Sequence, residues 1–268
     1  MSIGFVTLTD ESYYPRALKT IQDLRTLGGW DGDILLLCVE FDPPKELESM
    51  DVFSQRISHL NHQPLFNIWS KHPLKPMADN RHYGKVYQWD KLQVFREEFL
   101  NRWDRIVFLD AGLRVTGPVA PVLSLPPYGF YAPDDSDPYD NGNRFRVQLD
   151  LPANPPVTQA LLSQFGENIL NEKYFLNCIF MFDTHLLKSI KPFDTMLKWM
   201  VNYPIMCCNE MGIMNLFFTF EHKLWKPFPQ RVLTDHGEKY LFGWSEYNYR
   251  ERPRWDQFCF LKYPATLS

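Results

Sequence analysis

The sequence predicts an α/β fold in which a largely parallel sheet is covered by helices on both faces. Two continuous apolar runs, GFVTLTD at residues 4–10 and DILLLCVEF at 33–41, are typical of strands that are buried on both sides. Between them, PRALKTIQDLRTLG at 15–28 has apolar residues at helical spacing, a proline in its first turn and a glycine at its end. Strand, helix and strand in this order form a βαβ unit.

The rest of the chain continues this alternation less regularly. Helices are predicted over 86–103, 119–125, 157–170, 185–203 with a break at Pro192, and 209–220, and strands over 54–60, 105–110, 128–133, 175–183 and 258–264. Residues 72–84 and 134–156 are rich in turn-forming residues and are predicted to be loops. Because there is no internal repeat and no linker, we expect a single domain over residues 1–268, with strand-rich insertions in its second half.

Composition excludes several classes of protein. The chain has 45% hydrophobic and 16% aromatic residues, which supplies a packed core and argues against disorder. Its net charge of −4 does not suit a nucleic-acid-binding surface, so no nucleic-acid partner is expected. No uncharged apolar run is long enough for a transmembrane helix, and the N-terminus lacks the pattern of a signal peptide. The sequence therefore predicts a cytoplasmic protein without a transmembrane segment.

The cysteines and histidines do not form a recognisable metal pattern. There are 5 cysteines, an odd number at irregular spacing and without a CxxC pair, which predicts free thiols in a reducing compartment. The 7 histidines include no HxxxH or HxH pair. A zinc site is therefore not expected.

Acidic and aromatic residues follow two of the predicted strands. Asp10 and Tyr13 come directly after the first strand, and Asp110 ends the strand RIVFLD at 105–110. The carboxyl ends of parallel strands in an open α/β sheet form the usual ligand crevice. The sequence thus predicts a ligand-binding site that includes Asp10, Tyr13 and Asp110.

Several segments, taken together, resemble the family 8 glycosyltransferases, which are glycogenin-like enzymes with a GT-A fold. VTLTDESYYPRAL at 6–18 resembles the opening strand and loop of that family, and WDKLQVF with DRIVFLDAGLRV resembles its helix followed by the Asp-x-Asp strand. FLNCIFMF at 175–182 resembles its Phe-Asn-Ser-Gly strand, and NEMGIMNLFF at 209–218 its Asp-Gln-x-x-x-Asn helix. The order is the same, and the segments cover most of residues 4–220.

The resemblance implies a nucleotide-sugar-binding half over 1–117 and an acceptor-binding half over 118–268. Tyr13 matches the tyrosine that stacks on the nucleotide base. Asp10 or the backbone of Thr7 and Thr9 would then read the edge of that base. Further donor contacts are implied for Lys91 (with Lys85 as a weaker competitor), for Asp110 with the adjoining Ala111, and for Asn177.

Metal binding departs from the family pattern. The second acid of Asp-x-Asp is replaced by Gly112, and Lys262 falls where the family has a late metal-binding histidine. His236 is the rival for that histidine position, in which case Asp110 and His236 would share a metal. Because a fixed lysine can stabilise a departing diphosphate as a metal does, Mn²⁺ or Mg²⁺ is expected to be dispensable, with Lys262 in its place.

The implied chemistry centres on Glu210 and Asp110. Glu210 matches an aspartate near the anomeric carbon, where a carboxylate stabilises an oxocarbenium-like state or acts as nucleophile. The neighbouring glutamine of the family is Met211 here. The alternative for Glu210 is an acid at a helix N-terminus that the helix dipole favours, and for Lys91 a solvated helix lysine.

The predicted function is transfer of a sugar from a UDP- or GDP-sugar donor to a hydroxyl of a glycan or glycoconjugate, with retention of configuration. Inversion by a carboxylate base is open on the same fold. The acidic loop 134–156 is expected to be a solvated loop, with a contribution to acceptor binding as the alternative. The aromatic, arginine-rich segment 240–255 is expected to form an acceptor or donor lid, with packing around the last strand as the alternative. The alternatives are a non-catalytic nucleotide-sugar-binding protein and a sugar nucleotidyltransferase, although TDESYYPRA lacks the glycine-rich phosphate loop of the latter.

Overall fold

The computed structural model describes residues 1–75 and 81–264. A seven-stranded mixed sheet forms the centre of the protein. Its strands are β1 (Ile3–Asp10), β2 (Asp33–Val39), β3 (Phe53–Ile57), β4 (Arg105–Asp110), β6 (Phe130–Ala132), β7 (Ile179–Asp183) and β8 (Trp225–Pro227), numbered together with the second sheet below. The order is β3-β2-β1-β4-β7-β6-β8. The strands β3, β2, β1 and β4 are parallel, and β7 runs antiparallel to β4.

A second, four-stranded sheet has the order β5-β11-β10-β9. It is built from β5 (Arg114–Val115), β9 (Arg231–Thr234), β10 (Gly237–Gly243) and β11 (Phe258–Leu261). The short strand β5 follows β4 after a turn and pairs antiparallel with β11. The end of the chain is thereby held beside the carboxyl end of β4.

Helices flank the central sheet. The α-helices are α1 (Tyr14–Thr26), α2 (Glu46–Ser49), α3 (Gln63–Trp69), α4 (Arg81–Gly84), α5 (Glu97–Leu100), α6 (Ala120–Leu123), α7 (Pro155–Phe165), α8 (Thr184–Lys188), α9 (Pro192–Asn202) and α10 (Glu210–Asn215). Shorter 3₁₀ segments lie at Glu11–Tyr13, Val86–Phe95, Phe145–Gln148, Glu167–Asn171, Glu246–Asn248 and Trp255–Gln257, and a π-helical segment at Leu216–Glu221 continues α10. None of the helices in the described residues is long and apolar enough to span a bilayer.

The predicted α/β fold with a helix-covered central sheet is confirmed. The opening βαβ unit is present as β1, α1 and β2, and β2 is buried along almost its whole length. Pro192 begins α9 rather than lying inside a helix, which is where its missing N–H costs nothing. The cysteines are all free, as the sequence predicted.

The continuous helix predicted over 86–103 is wrong. Val86–Phe95 is a 3₁₀ helix, Arg96 is extended, and α5 follows. Residues 89–95 are buried on every side, so the segment has no solvent-facing stripe to favour an amphipathic α-helix. The buried carboxylate of Asp90 also fixes the segment from one side, since it accepts a hydrogen bond from the Leu60 N–H at 2.7 Å and contacts His59 Nδ1 at 2.6 Å.

Two predicted loops contain short helices. The loop predicted over 72–84 includes α4, while its part at 76–80 lies outside the described residues. The loop predicted over 134–156 includes a 3₁₀ turn at Phe145–Gln148, where Phe145 is fully buried and lies against Phe220. Burial of an aromatic ring explains why this polar segment is anchored in its middle.

Stacked phenylalanine rings account for much of the aromatic content. Phe108 of β4 stacks on Phe180 of β7 at 4.8 Å between ring centroids, and Phe130 of β6 stacks on Phe218 at 3.9 Å. Phe95 packs on Phe180 and so joins the 3₁₀ helix to the sheet. This aromatic layer fixes the position of the segment that carries Lys91.

Candidate active site

The candidate site lies at the carboxyl end of β4, where several chain segments meet. Because β4 and β7 are antiparallel, the end of β4 adjoins the residues that precede β7. The Asp110 N–H donates to the carbonyl of Cys178 at 2.8 Å. Asp110 and Asn177, predicted from separate segments, therefore lie at the same sheet edge.

Lys91 lies between two carboxylates. Its Nζ is 2.9 Å from Oδ1 of Asp110 and 3.0 Å from Oε1 of Glu210. It also donates to the carbonyl of Asn177 at 3.1 Å. Lys91 is only 6% exposed, so it is not a solvated helix lysine. Lys85, its weaker competitor in the sequence, is exposed and does not take this position.

Lys262 reaches Asp110 from the second sheet. Leu261 at the end of β11 is in register with Arg114 of β5, which directly follows the β4 turn. The Lys262 N–H donates to the carbonyl of Gly243 at 2.9 Å, which holds its backbone beside β10. Its Nζ lies 3.0 Å from Oδ2 of Asp110. Each oxygen of the Asp110 carboxylate thus contacts a different lysine.

Glu210 and Asn177 complete the cluster. The Asn177 amide nitrogen donates to Oε1 of Glu210 at 2.9 Å. Glu210 is 2% exposed and is the first residue of α10, so it also has the helix-start position considered as the alternative from the sequence. Within the described residues, Oε2 of Glu210 is buried without a hydrogen-bond partner. Since buried polar atoms are normally paired, this oxygen points to a ligand contact.

Burial and mutual attraction shift the pKa values of these groups in different directions. Burial alone would raise the pKa of Asp110, but Lys262 and Lys91 outweigh it and lower that pKa. Burial raises the pKa of Glu210, although Lys91 opposes the shift. Burial would lower the pKa values of Lys91 and Lys262, but Asp110 outweighs it and raises both. Both lysines are therefore held in the charged form.

Backbone strain marks the residue before Glu210. Asn209 has φ 52° and ψ −130°, a conformation that costs a non-glycine residue about 1–3 kcal/mol. Its amide donates to the carbonyl of Lys85 at 3.0 Å and to Oε1 of Gln88 at 3.1 Å. These contacts hold the strained residue against the segment that carries Lys91, and they fix the start of α10, where Glu210 lies.

The Tyr13 ring is exposed and lies at the same edge of the sheet as Asp110. It is 47% exposed, and the guanidinium of Arg16 lies over it at 5.1 Å from the ring centroid. Asp10 accepts hydrogen bonds from the Tyr13 N–H at 2.9 Å and from the Ser12 hydroxyl at 2.6 Å. Asp10 therefore caps the turn that presents Tyr13.

Gly112 has a backbone that favours glycine. Its φ is +87°, and a Cβ added there would lie 3.4 Å from Cδ of Arg16. The Gly112 N–H donates to the hydroxyl of Thr20 on α1 at 3.1 Å, which fixes the turn after Asp110. The Arg16 side chain therefore lies against the turn two residues after Asp110.

The threonines predicted to read the base lie in the interior. Thr7 is 3% exposed, and its side chain lines a small cavity beneath α1, so it is not brought to the cluster. Thr9 is 2% exposed and its hydroxyl donates to the carbonyl of Asp10 at 2.9 Å. Ala111 is half-buried in the turn between β4 and β5, next to Asp110.

The side chains around Asp110 do not suit a divalent cation. A metal there would meet two ammonium groups, because the Asp110 oxygens already contact Lys91 and Lys262. Over residues 1–75 and 81–264, no group of His, Cys, Asp and Glu side chains is arranged to hold a metal. His236 lies in the turn between β9 and β10. Because a strand rises about 3.3 Å per residue, His236 is roughly 20 Å from Gly243 at the far end of β10. Gly243 is the residue whose carbonyl accepts a hydrogen bond from the Lys262 N–H.

A cavity of about 480 Å³ opens beside the cluster. One wall comes from the acidic loop and the other from the aromatic segment, which the sequence had suggested separately. The lining residues include Leu176, next to Asn177, and Phe242 and Trp244, which flank Gly243. The cavity lining therefore includes the residue before Asn177 and the two residues that flank Gly243, whose carbonyl accepts a hydrogen bond from the Lys262 N–H.

Sequence reasoning missed some features of the site. Arg16 looked like an ordinary helix residue, although its spacing of three from Tyr13 on a helix start was the signal that could have found it. The strain at Asn209 has no sequence signal. The contact of Cys178 with Asp110 depends on the antiparallel pairing of β4 and β7, and burial raises the pKa of its thiol to about 12, so it is not a reactive thiolate.

Comparison with known proteins identifies the fold. No protein-family model and no curated protein matches the chain. Among solved structures it is similar to the galactosyltransferase LgtC in complex with donor and acceptor sugar analogues, with a TM-score of 0.52, 15% identity, and coverage of 80% of this chain and 70% of that one.

Two further similarities are to core-mannan synthase A from Aspergillus fumigatus in a Mn/GDP form and to the bifunctional glycosyltransferase WbbM. The first has a TM-score of 0.55 at 8% identity, with 85% of this chain and 73% of that chain covered. The second has a TM-score of 0.50 at 15% identity, with 85% of this chain and 39% of that chain covered. The chain therefore has the GT-A fold of glycosyltransferases.

Proposed function

We propose that this protein is a glycosyltransferase that moves a sugar from a nucleoside diphosphate donor to a hydroxyl of a glycan. The observation that carries this proposal is the contact of Asp110 with both Lys91 and Lys262 at the carboxyl edge of the central sheet. Such an edge is the ligand crevice of an open α/β sheet, and paired cations there suit a diphosphate. The similarity to glycosyltransferases of known structure supports the same activity.

Tyr13 and Arg16 form the donor end of the proposed site. The exposed Tyr13 ring offers a surface on which a nucleotide base stacks, and Arg16 lies over that ring and beside the turn that follows Asp110. An arginine in this position binds phosphate oxygens by charged hydrogen bonds. Asp110 and Asn177 then contact the ribose and the transferred sugar, as the family resemblance implies.

The lysines take the part of a metal ion in the proposed mechanism. As the bond between the anomeric carbon and the diphosphate oxygen breaks, negative charge develops on the diphosphate. Lys262, with Lys91 and Arg16, stabilises that charge from fixed positions in a largely buried site. The acceptor oxygen forms the new bond to the anomeric carbon, and its proton leaves with the diphosphate.

Glu210 stabilises the positive charge on the sugar in this scheme. Its Oε2 atom is buried without a partner among the described residues, while Oε1 is fixed by Lys91 and Asn177. A carboxylate so placed favours an oxocarbenium-like state and, on the covalent route, attacks the anomeric carbon. Retention of configuration follows from the family resemblance.

The test is a thermal-shift and turnover screen with UDP-, GDP-, CMP- and dTDP-sugars, each in EDTA and in added Mn²⁺. A donor at 100 times its Kd stabilises the fold by about 2.7 kcal/mol, so one nucleotide class should raise the Tm even in EDTA. Donor hydrolysis or transfer should persist in EDTA. Complete loss of turnover in EDTA, restored by Mn²⁺, would contradict the metal-independent mechanism.

Other outcomes of the same screen address the activity itself. Stabilisation by a nucleotide sugar without hydrolysis or transfer to any acceptor would favour a non-catalytic binding protein. Formation of a nucleotide sugar from a nucleoside triphosphate and a sugar phosphate would favour a nucleotidyltransferase. If no nucleotide sugar shifts the Tm, the proposed donor site is wrong.

A further inference from the structure

The cavity of about 480 Å³ beside the cluster has the size of a small-molecule site, for which roughly 300–1,000 Å³ is usual. It is lined by Asp134, Asp135, Asp137, Pro138, Tyr139, Asp140, Asn141, Leu176, Phe242, Trp244, Asn248 and Tyr249. Its walls are carboxylates and amides on one side and aromatic rings on the other. Such a combination binds molecules that present both hydroxyl groups and C–H faces.

The position of the cavity connects it to the proposed reaction. Leu176 lines the cavity and is followed by Asn177, whose amide contacts Glu210. On the opposite wall, Gly243 lies between two lining residues and accepts a hydrogen bond from the Lys262 N–H. The cavity is thus lined by the chain neighbours of Asn177 and Gly243, the residues that contact Glu210 and Lys262.

The aromatic wall is preorganised. The Tyr249 hydroxyl donates to the carbonyl of Phe242 at 2.9 Å, which fixes the start of this wall. The Trp244 ring is half-buried and held edge-on by Tyr263 at 5.1 Å between centroids. Rings whose orientation is fixed before binding lose little entropy when a sugar packs against them.

The acidic wall leaves negative charge facing the cavity. Asp134 is paired with Lys173, and Asp140 with Arg144. Asp135, by contrast, accepts hydrogen bonds from the neutral groups of Tyr174 at 2.6 Å and Asn143 at 3.0 Å.

Asp137 has no ion pair among the described residues. Burial and then the charge of Asp134 raise its pKa, although Lys173 opposes the shift. No lysine, arginine or histidine lines the cavity in the described part of the chain, although Arg250 lies against the Tyr139 ring at 4.3 Å.

We infer that this cavity holds the acceptor and selects a saccharide without an anionic group. This inference rests on the proposed glycosyl transfer and adds the class of acceptor to it. Carboxylates accept hydrogen bonds from sugar hydroxyls, and the fixed rings contact the apolar face of a sugar. The unpaired charges of Asp135 and Asp137 repel uronic acids and phosphorylated sugars, which is specificity achieved by rejection.

The test is ligand-observed NMR with methyl hexosides and their 6-carboxylate and 6-phosphate counterparts, measured without donor. The wild-type protein should bind at least one neutral hexoside about tenfold more tightly than its anionic counterparts. Trp244→Ala should weaken neutral binding about tenfold, whereas Phe53→Ala, an exposed ring on β3, should not. Asp137→Asn should narrow the discrimination against the anionic sugars, and Asp194→Asn, an exposed acid on α9, should leave it unchanged.

Donor hydrolysis in the absence of acceptor separates this inference from the proposed function. If a donor is hydrolysed but Trp244→Ala changes neither hexoside binding nor acceptor KM, the cavity is not the acceptor site. Equal binding of neutral and anionic hexosides would also overturn the inference. If no donor binds or reacts, the proposed function fails whatever the hexoside result.

Discussion

The ammonium group of Lys262 lies 3.0 Å from Oδ2 of Asp110, a residue 152 positions earlier in the chain. Lys91 occupies the other oxygen of the same carboxylate at 2.9 Å. A strand-end acid that is held between two lysines is already charge-compensated without a metal. The arrangement depends on the pairing of β5 with β11, so the second sheet is part of the site and not an appendage.

Replacement of Lys262 tests its part in leaving-group stabilisation. Lys262→Met should lower kcat by about 10²–10³-fold, which is the loss seen when one preorganised donor is removed from a site of this kind. Donor hydrolysis and transfer rates provide the measurement. Lys198→Met, at an exposed position on α9, is the matched control and should leave kcat unchanged. A Lys262→Met variant that folds and turns over normally would remove this lysine from the mechanism.

The pH dependence of stability should have opposite signs at the two carboxylates. The pKa of Asp110 is lowered from 3.8, so its contribution to stability is present above about pH 3.8 and lost as the pH falls through the folded pKa. The pKa of Glu210 is raised from 4.5, so its ionisation destabilises the fold as the pH rises above about 4.5.

Urea unfolding of Asp110→Asn and Glu210→Gln over a range of pH measures both effects. The loss of stability caused by Asp110→Asn should shrink as the pH falls below about 3.8. Relative to the wild type, Glu210→Gln should gain stability as the pH rises above about 4.5. Slopes of the same sign for both variants would contradict the ionisation states assigned here. Near-normal turnover of Glu210→Gln would also exclude Glu210 from the chemistry.

Arg16 should contribute to donor binding through the phosphates. Arg16→Met should weaken binding of a nucleoside diphosphate roughly tenfold or more, because charged hydrogen bonds are lost, while binding of the bare nucleoside changes little. Calorimetry with both ligands measures the difference. Arg102→Met is the control, since Arg102 also stacks on an aromatic ring, Phe53 at 4.2 Å, but lies before β4 at the other edge of the sheet. An equal loss for nucleoside and diphosphate would assign Arg16 to the base instead.

The fold was largely predictable because the middle strands of the central sheet are long apolar runs. The β1, β2 and β4 segments are continuous in hydrophobicity, and α1 has clear start and stop residues. The 86–95 segment was not predictable, because it is apolar on all sides and its 3₁₀ form depends on contacts of Asp90 with residues far along the chain. The second sheet was only suggested as strand-rich, since β5 and β9 are short and β10 begins with the polar residues GEK.

The candidate site was predictable in its residues more than in its contacts. The sequence proposed each residue of the cluster from a separate segment. The fold brings these residues together, namely Lys91, Asp110, Asn177, Glu210 and Lys262. The alignment of Lys262 was the weakest step, because β9 and β10 intervene and only three-dimensional pairing places it. The prediction that backbone groups of Thr7 and Thr9 read a nucleotide base stays a prediction, since burial of their side chains does not test it.

A buried ion pair away from the site should matter for stability alone. Arg105 on β4 and Asp183 on β7 are 2.7 Å apart and almost fully buried, and the guanidinium also donates to the carbonyls of Leu123 and Leu125. Arg105→Met should cost about 3–5 kcal/mol of unfolding free energy, because it leaves a buried carboxylate unpaired. The double variant Arg105→Met/Asp183→Leu should lose less than Arg105→Met in urea unfolding. A larger loss of unfolding free energy in the double variant than in Arg105→Met would mean that the ion pair itself stabilises the fold.

Introducing an acid at Gly112 tests whether a second carboxylate beside Asp110 would create a metal site. Gly112 has φ +87° and its Cα faces the side chain of Arg16, so any side chain there costs about 1–2 kcal/mol of strain. Gly112→Asp should therefore lower the Tm about as much as Gly112→Ala and Gly112→Asn, measured by thermal unfolding. It should not create Mn²⁺-dependent turnover or a Tm increase with Mn²⁺, because Lys91 and Lys262 still occupy the Asp110 oxygens. A gain of Mn²⁺-dependent turnover in Gly112→Asp, but not in Gly112→Asn, would contradict this expectation. It would mean that the site needs only a second acid to bind a metal, even with both lysines in place.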